Sequence, residues 1–269
     1  MKLILIIKYI ILGIIQGFTE PIPISSSGHL LILKKIFNIN TNDINFEIIV
    51  NFGSFIAITF LYRKEILNII HDFIMYLKDK NKEYKSGFNY GLKIILASIP
   101  AGIIGLIFKD KIDIISNDIK LIGIALLITS VFLFIIKDFK GIKDKDNISF
   151  LDSLKIGTFQ SLALLPGISR SGSTIVGAML CDVKREESVN FSFMLYIPIS
   201  IASFMLGVSD IITTPNINSY IYYYIIGMIF SILITYLSAK WFINIIKKGK
   251  LIYFSVYCLI VGVLVLLFL

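Results

Sequence analysis

Long apolar runs separated by short polar stretches dominate this chain. A membrane-spanning helix needs about 20 predominantly apolar residues. Six runs approach or reach that length, namely 46–62, 93–108, 119–136, 190–211, 221–240 and 251–269. The stretch 65–77 is shorter and amphipathic, which is typical of an interfacial helix. The pattern therefore predicts six spanning helices and one helix lying at the membrane surface.

Two further apolar segments, 3–33 and 153–180, are interrupted in the middle. Pro21 and Pro23 break the first segment, and Pro166 and Gly167 break the second. Non-helical backbone is tolerated at membrane depth only where it is buried in protein or lines a wet cavity. We therefore predict that each segment is a re-entrant helical hairpin whose polar tip lies near the middle of the bilayer.

The two interrupted segments are copies of one another. Residues 16–30 and 160–174 align without a gap at a constant offset of 144. Five positions are identical, namely Gln16/Gln160, Ile24/Ile168, Ser25/Ser169, Ser27/Ser171 and Gly28/Gly172. Three others differ in chemistry, namely Glu20/Leu164, Ser26/Arg170 and His29/Ser173. Ionisable groups at membrane depth are costly and by default indicate a functional site.

Charged loops set the predicted orientation. Lysines cluster in 78–93 and 137–155, which the positive-inside rule places in the cytoplasm, whereas the loop 213–220 carries no charge and faces outward. Hairpin 1 then opens outward and hairpin 2 inward, each followed by three spans. This predicts one integral membrane domain, 1–269, built as an inverted-topology repeat of about 1–140 and 150–269. Only Lys34 and Lys35 do not fit this orientation, which leaves them on the outer side.

Composition supports this class. The chain is 56% hydrophobic with a mean hydropathy of +0.84, which excludes an ordinary soluble domain. The net charge of +8 resides mainly in loop lysines, which favours membrane topology and anionic lipids over a nucleic-acid partner. Cys181 and Cys258 are isolated, so they predict neither a metal site nor a disulfide.

The first tip carries oxygen ligands and a candidate nucleophile. Gln16 and Glu20 share one helix face and could hold a hard divalent cation together with water and substrate phosphate; the alternative is a single buried glutamate bonded to backbone. Ser26 becomes a nucleophile if a base or metal polarises it, and His29 can exchange protons near neutral pH. The alternative for the serines is helix capping.

The second tip has the features of an anion site. A Gly- and Ser-rich turn that opens a helix presents N–H groups and a positive helix end, and Arg170 adds a fork that matches phosphate oxygens. Ser169, Ser173 and Thr174 supply hydroxyls. The alternative is an arginine that extends to the interface. Together the two tips indicate phosphoryl transfer from a lipid-borne phosphate.

At these residues the chain resembles the bacterial undecaprenyl-pyrophosphate phosphatase family, also called bacitracin-resistance proteins. The family pattern (E/Q)-x-x-x-E is present as Gln16–Glu20, and P-x-S-S-(S/T)-G-H as Pro23–His29. The pattern P-G-x-S-R-S-x-x-T is present as Pro166–Thr174 with every fixed position matched. Many members carry Glu at the position of Gln16, so Glu20 must contribute more to any metal binding here.

The resemblance implies a multi-pass enzyme of the bacterial cytoplasmic membrane whose active site faces the outer side. It implies hydrolysis of C55 isoprenyl pyrophosphate to the monophosphate, which recycles the carrier lipid for peptidoglycan and other cell-wall polymers and confers bacitracin resistance. Bacitracin acts on the same lipid rather than on the protein. A divalent cation, Mg²⁺ or Ca²⁺, is implied as cofactor, and a homodimer is left open.

The resemblance also assigns roles to residues. Ser26 is the preferred nucleophile, His29 the proton shuttle, Glu20 the metal ligand or base, and Gln16 a second metal ligand. Arg170 is the fourth catalytic residue and grips the pyrophosphate. The substrate-binding residues are then Gly167, Thr174 and the serines Ser25, Ser27, Ser169, Ser171 and Ser173. Attack by a water molecule that Glu20 or His29 activates remains the alternative to attack by Ser26.

Two other protein classes share part of this pattern. Type-2 phosphatidic acid phosphatases also carry Ser-Gly-His and Ser-Arg elements, but they need an Arg-Pro motif and a later histidine, and this sequence has no Arg-Pro and no histidine after Arg170. A lipid-phosphate transporter or flippase would use the same inverted-repeat architecture, and fold alone does not exclude it. Ser26 beside His29 favours hydrolysis, and a dual role that includes moving the product lipid is left open.

Overall fold

The computed structural model describes residues 2–39, 44–115, 118–213 and 217–269, with the backbone alone at 109–115, 209–210 and 218. These ranges contain eleven α-helices: α1 (Lys2–Thr19), α2 (Ser26–Ile36), α3 (Ile44–Leu61), α4 (Arg63–Asp79), α5 (Lys85–Ile115), α6 (Ile119–Ile135), α7 (Phe150–Leu162), α8 (Arg170–Leu180), α9 (Arg185–Thr213), α10 (Ile221–Lys247) and α11 (Ile252–Phe268). In the described ranges the only β-structure is an isolated bridge between Lys143 and Val183.

Five helical stretches of the described chain are long and apolar enough to cross a membrane, namely Lys2–Thr19, Ile44–Leu61, Lys82–Phe108, Arg185–Thr213 and Ile221–Lys247. The helices α6 and α11 are apolar but slightly shorter. An all-helical, multi-pass membrane protein is therefore confirmed. The helices α5 and α9 extend beyond the predicted apolar runs because polar residues at their ends continue the helix. Of the predicted outer loop 213–220, residues 214–216 lie outside the described residues.

The predicted amphipathic stretch 65–77 is helix α4, which has no fully buried residue. Leu67, Ile70, Ile74 and Leu77 follow a helical spacing and are all exposed. An exposed apolar face of this kind suits the membrane interface.

The two broken segments have the same local structure. Helices α1 and α2 form hairpin 1, and α7 and α8 form hairpin 2. Both α2 and α8 begin and end at positions related by the offset of 144. Ser25 caps α2 by accepting a hydrogen bond from Gly28 N at 3.3 Å, and Ser169 caps α8 by accepting one from Gly172 N at 3.0 Å. The capping interpretation is therefore confirmed for Ser25, and Ser169, for which no cap was predicted, does the same for α8. Both satisfy N–H groups that the helix leaves open.

Each hairpin packs against a long helix of the other half, α1 against α10 and α7 against α5. Two glycines related by the same offset make this contact. A Cβ atom at Gly13 would lie 2.2 Å from the carbonyl oxygen of Gly227, and one at Gly157 would lie 2.3 Å from that of Ala97. Any side chain would therefore push the helices apart, so the close approach requires glycine.

The apolar helices α6 and α11 pack side by side and run antiparallel. Ser130 Oγ donates to the carbonyl oxygen of Ser255 at 2.7 Å, and Ser255 Oγ donates back to that of Ser130 at 2.8 Å. Further along, a Cβ atom at Gly262 would lie 2.9 Å from the carbonyl oxygen of Gly123. Residues later in α11 therefore contact residues earlier in α6, which is the arrangement of antiparallel helices.

The first spans, α3 and α9, also run antiparallel. Tyr196 Oη donates to Asn51 Oδ1 at 2.9 Å. Beyond the end of α3, Tyr62 Oη donates to Asn190 Oδ1 at 2.9 Å. Residues later in α3 thus contact residues earlier in α9, as in the α6–α11 pair.

The segments with predicted cytoplasmic lysines meet at one end of the molecule. Ser86 Oγ and Lys93 Nζ of the first segment donate to the side chain and the carbonyl oxygen of Asp146 in the second. Ion pairs at the same end are Lys143–Asp152, Lys145–Glu65, Lys184–Asp144 and Lys247–Glu186. At the other end Lys8 Nζ donates to the carbonyl oxygen of Phe37 at 2.5 Å, and Tyr9, Phe46 and Tyr224 pack into one apolar cluster. Hairpin 1 opens at this second end, because its first and last residues lie there.

Lys34, which the charge rule did not accommodate, is not a loop residue. Its side chain is buried and its Nζ lies 2.6 Å from Glu47 Oε1. Because a buried, paired lysine is neutralised by its partner, it does not count as a topological charge. Lys35 remains exposed, and its Nζ donates to the carbonyl oxygen of Leu269 at 2.8 Å.

Candidate active site

The tips of the two hairpins meet inside the helix bundle and line a cavity of about 200 Å³. Ser171 Oγ donates to the carbonyl oxygen of Ile22 at 3.1 Å. The backbone N–H of Gly167 donates to Ser27 Oγ at 3.4 Å. These bonds hold the tips against each other, so residues from both copies of the motif share one site.

Glu20 is the centre of the polar contacts. Its Oε1 lies 2.6 Å from Arg170 Nη2, and its Oε2 accepts hydrogen bonds from Ser26 Oγ and, at 3.0 Å, from Gln16 Nε2. The side chain is only 6% exposed, and a charge buried to this degree has to be paired. The structure therefore brings Glu20, Ser26, Arg170 and Gln16 together.

Arg170 is held in place on one side and has a donor without a protein partner on another. Its guanidinium carbon lies 3.8 Å from the centre of the Tyr196 ring, a cation–π contact that positions the group. Its Nη1 atom is buried and makes no hydrogen bond to the described part of the chain. The guanidinium therefore has an unused donor where the cavity could hold an anion.

The helix ends add to the positive potential. Ser26 is the first residue of α2 and Arg170 is the first residue of α8, so the N-termini of both helices face the same cavity. Helix N-termini favour anions because their N–H groups are unsatisfied and the helix dipole is positive there. Gly167 leads into α8 with φ +93, and a Cβ atom there would lie 2.7 Å from Ala125 Cβ, which requires glycine at this turn.

His29 does not contact Ser26. Its Nδ1 lies 2.7 Å from the carbonyl oxygen of Ser25, and its Nε2 lies 2.8 Å from Tyr257 Oη. A carbonyl oxygen can only accept, so Nδ1 carries the proton, and in the neutral ring Nε2 accepts from the tyrosine hydroxyl. His29 thus links the first tip to α11, and the sequence carried no signal for its partner Tyr257.

The remaining predicted residues differ in whether they line the cavity. Ser25, Ser27, Ser169 and Ser171 line the cavity. Thr174 does not, because its hydroxyl donates to the carbonyl oxygen of Arg170 at 3.0 Å and lies 2.6 Å from Ser192 Oγ. Ser173 Oγ is buried without a hydrogen-bond partner in the described chain.

Residues that the sequence analysis did not assign also line the cavity, among them Asn51, Gln160, Tyr196, Ser200 and Ser203. Gln160 carried a signal because it aligns with Gln16, and Asn51 carried a weaker one because Glu47-x-x-x-Asn51-Phe52 resembles Glu187-x-x-Asn190-Phe191 with a gap of one residue. The others belong to spanning helices without a motif.

The protein offers few ligands for a metal. Within the described residues, no group of three or more His, Cys, Asp or Glu side chains could hold an ion. Glu20 and Gln16 supply one carboxylate and one amide. This set suits Mg²⁺, which commonly binds through one or two carboxylates and completes its shell with water and substrate phosphate. It does not suit a metal that needs a complete protein cage.

The fold and this site define a multi-pass membrane protein with a polar cavity between its helices, lined by Glu20, Arg170 and a serine hydroxyl that is hydrogen-bonded to Glu20. The chain belongs to the bacitracin resistance protein BacA family, whose model matches residues 9–264. This confirms the resemblance seen in the motifs.

Curated relatives match along almost the whole chain. The chain is 45% identical to undecaprenyl-diphosphatase 2 of Bacillus thuringiensis (strain Al Hakam) over 98% of both sequences. It is 42% identical to undecaprenyl-diphosphatase 1 of Bacillus licheniformis over the full length of both. It is 41% identical to undecaprenyl-diphosphatase of Oceanobacillus iheyensis over 98% of this chain and 97% of that protein. These names describe phosphatases, and none of them describes a transporter.

Proposed function

We propose that this protein is an undecaprenyl-diphosphatase of the bacterial cytoplasmic membrane. It hydrolyses C55 isoprenyl pyrophosphate to the monophosphate and inorganic phosphate, which returns the carrier lipid to cell-wall synthesis. The names of the full-length relatives support the substrate. One structural observation carries the chemistry: Ser26, Glu20 and Arg170, drawn from two separate motifs, are joined by hydrogen bonds at one buried cavity.

The cavity binds the pyrophosphate headgroup and leaves the lipid tail outside. Its volume of about 200 Å³ is below the ≈ 300–1,000 Å³ of pockets that enclose drug-sized ligands, and a polyisoprenyl chain would not fit. Arg170 Nη1 and the N-termini of α2 and α8 bind the phosphate oxygens. The hydroxyls of Ser27 and Ser169, which accept hydrogen bonds from backbone N–H groups, supply further donors.

In the first chemical step Ser26 Oγ attacks the terminal phosphorus and gives its proton to Glu20 Oε2. The bond between that phosphorus and the bridging oxygen breaks, and the lipid monophosphate leaves with the bridging oxygen. Arg170 stabilises the charge that spreads over the phosphoryl oxygens. Glu20 is the base in this scheme because it, and not His29, accepts the hydrogen bond of the Ser26 hydroxyl.

In the second step water attacks the phosphoserine, and Glu20 returns its proton to the Ser26 oxygen as that oxygen leaves. The released inorganic phosphate keeps one proton of the water, and the other passes to solvent. Direct attack of a Glu20-activated water on the lipid is the alternative, in which Ser26 only orients the carboxylate.

A divalent cation, Mg²⁺ or Ca²⁺, is part of the proposal. Glu20 and Gln16 would hold it together with substrate oxygens, and it would supply positive charge against the pyrophosphate.

We also propose that the two halves form an inverted-topology repeat. The antiparallel pairs α3–α9 and α6–α11 support it, since each pairs equivalent helices of the two halves. The ion-paired lysine loops lie at one end and hairpin 1 opens at the other, which supports a cytoplasmic face for the lysine loops and an outward-facing site. Such repeats place their site at the repeat interface.

The first test measures phosphate release from C55 isoprenyl pyrophosphate by purified protein in detergent, with Mg²⁺ and with chelator. We expect cation-dependent release, and a loss of at least about 1,000-fold for Ser26→Ala if Ser26 is the nucleophile. Thr158→Ala is the matched control, because Thr158 is exposed on α7 and its hydroxyl bonds only to its own helix. Rapid quench should trap phosphate on Ser26.

Two outcomes separate the elements of the proposal. An active Ser26→Ala variant would exclude Ser26 as nucleophile and favour water. Folded wild-type protein that binds the lipid without releasing phosphate would overturn the phosphatase and favour a lipid-phosphate transporter.

A further inference from the structure

Gln160 is a buried amide without a partner at the cavity. It lies on α7, is 2% exposed and lines the cavity between the two tips. Neither Oε1 nor Nε2 makes a hydrogen bond to the part of the chain that the structure describes. A buried amide that lacks both partners is costly, so a purely structural role would be better served by an apolar side chain.

The duplication explains how this amide came to lack a partner. The equivalent residue in hairpin 1, Gln16, donates to Glu20 four residues later at 3.0 Å. In hairpin 2 the residue four positions after Gln160 is Leu164, which cannot accept a hydrogen bond. The scaffold therefore keeps the glutamine in both copies but gives only the first copy a protein acceptor.

The residues that line the cavity with Gln160 indicate which kind of ligand it would bind. Arg170, with its unused Nη1 donor, and the capping residue Ser169 line the same cavity. These groups are donors directed at an anion, and the amide nitrogen of Gln160 adds two N–H groups to them. A neutral donor here adds binding without a second positive charge close to Arg170.

We propose that Gln160 is a substrate-binding residue whose amide nitrogen donates to a phosphate oxygen of the pyrophosphate headgroup. The proposal rests on the proposed function of the same cavity. It assigns to hairpin 2 a contact to the substrate outside the P-G-x-S-R-S-x-x-T motif. A bound water is the competing partner for the amide, and it predicts that substrate affinity does not depend on Gln160.

The test uses Gln160→Met, which keeps the size of the side chain but removes the amide, and Gln160→Glu, which keeps the shape but repels phosphate. Thr158→Val, two residues earlier on an exposed face, is the control. The probe is a methylene-bridged farnesyl diphosphonate, which cannot be hydrolysed at the bridge. Its dissociation constant and the thermal midpoint of the ligand-free protein are measured for each variant in detergent.

For Gln160→Met we expect the thermal midpoint to stay equal or rise, because an unpartnered amide is removed, while the dissociation constant rises about 10- to 100-fold, the effect of losing a hydrogen bond to a charged group. Gln160→Glu should bind the probe more weakly still. A residue that only supports the fold would lower the midpoint and leave the affinity of the folded fraction unchanged.

Equal affinity of wild type and both variants would overturn the assignment of Gln160 and leave the phosphatase intact. Wild-type protein that binds the diphosphonate but does not hydrolyse the pyrophosphate would overturn the proposed function alone.

Discussion

Replacing Gly157 by alanine should damage activity from a distance. A Cβ atom there would lie 2.3 Å from the carbonyl oxygen of Ala97, whereas ordinary van der Waals contact begins at 3.4 Å. Helix α7 must therefore move away from α5 by about 1 Å, and overpacking of this kind costs about 1–3 kcal/mol. Because α7 leads directly to the tip with Arg170, we expect kcat/KM to fall about 10- to 100-fold, since a misplacement of ~1 Å can cost ~100-fold.

Phosphate release in detergent and thermal unfolding followed by circular dichroism test this expectation. Gly102→Ala is the matched control, because a Cβ atom at Gly102 has no atom within 4 Å; it should keep full activity. Gly13→Ala should resemble Gly157→Ala, because its Cβ would meet the Gly227 carbonyl oxygen at 2.2 Å. Activity of Gly157→Ala within twofold of Gly102→Ala would refute the claim that this helix contact positions the tip.

Two further substitutions test contacts around the site. Tyr257→Phe removes the hydroxyl at 2.8 Å from His29 Nε2. We expect the free energy of unfolding to fall by about 1 kcal/mol and kcat to stay within threefold of wild type. A 100-fold loss of kcat in a normally folded variant would instead support His29 as proton shuttle. Glu47→Gln removes the carboxylate that contacts the buried ammonium of Lys34, and we expect roughly 3 kcal/mol of destabilisation. The double variant Lys34→Met/Glu47→Gln should recover much of this stability. A double variant as unstable as Glu47→Gln would contradict the pairing argument.

The part of the site that could be predicted from the sequence is the part built from the two duplicated motifs. The offset of 144 located both tips, and helices α2 and α8 begin at positions related by that offset. Glu20 meets Arg170 because each stands at the break of its hairpin and the two breaks meet. Lys34 was misinterpreted because a charge in sequence does not reveal whether it is buried beside a carboxylate. That distinction depends on tertiary packing.

The parts that escaped prediction come from packing between helices without motifs. Tyr196 supports Arg170, and Tyr257 binds His29, yet both are ordinary aromatic residues within apolar spans. Ser26 and His29 are close in sequence, which suggested that the imidazole acts on the serine hydroxyl. In the folded tip the Ser26 hydroxyl contacts the Glu20 carboxylate, while His29, almost one turn later, contacts α11.

The crossed packing of the two hairpins has a consequence for biosynthesis. Helix α1 lies at the start of the chain, but Gly13 packs against Gly227 of α10. At about 5–20 residues synthesised per second, the ribosome needs roughly 10–40 s to add the intervening ~210 residues. During that interval the first hairpin sits in the membrane without the surface that it finally packs against. A chaperone or the insertion machinery that shields glycine-rich helix faces would therefore act on this protein early, and truncation before α10 should leave hairpin 1 as a target for membrane proteases.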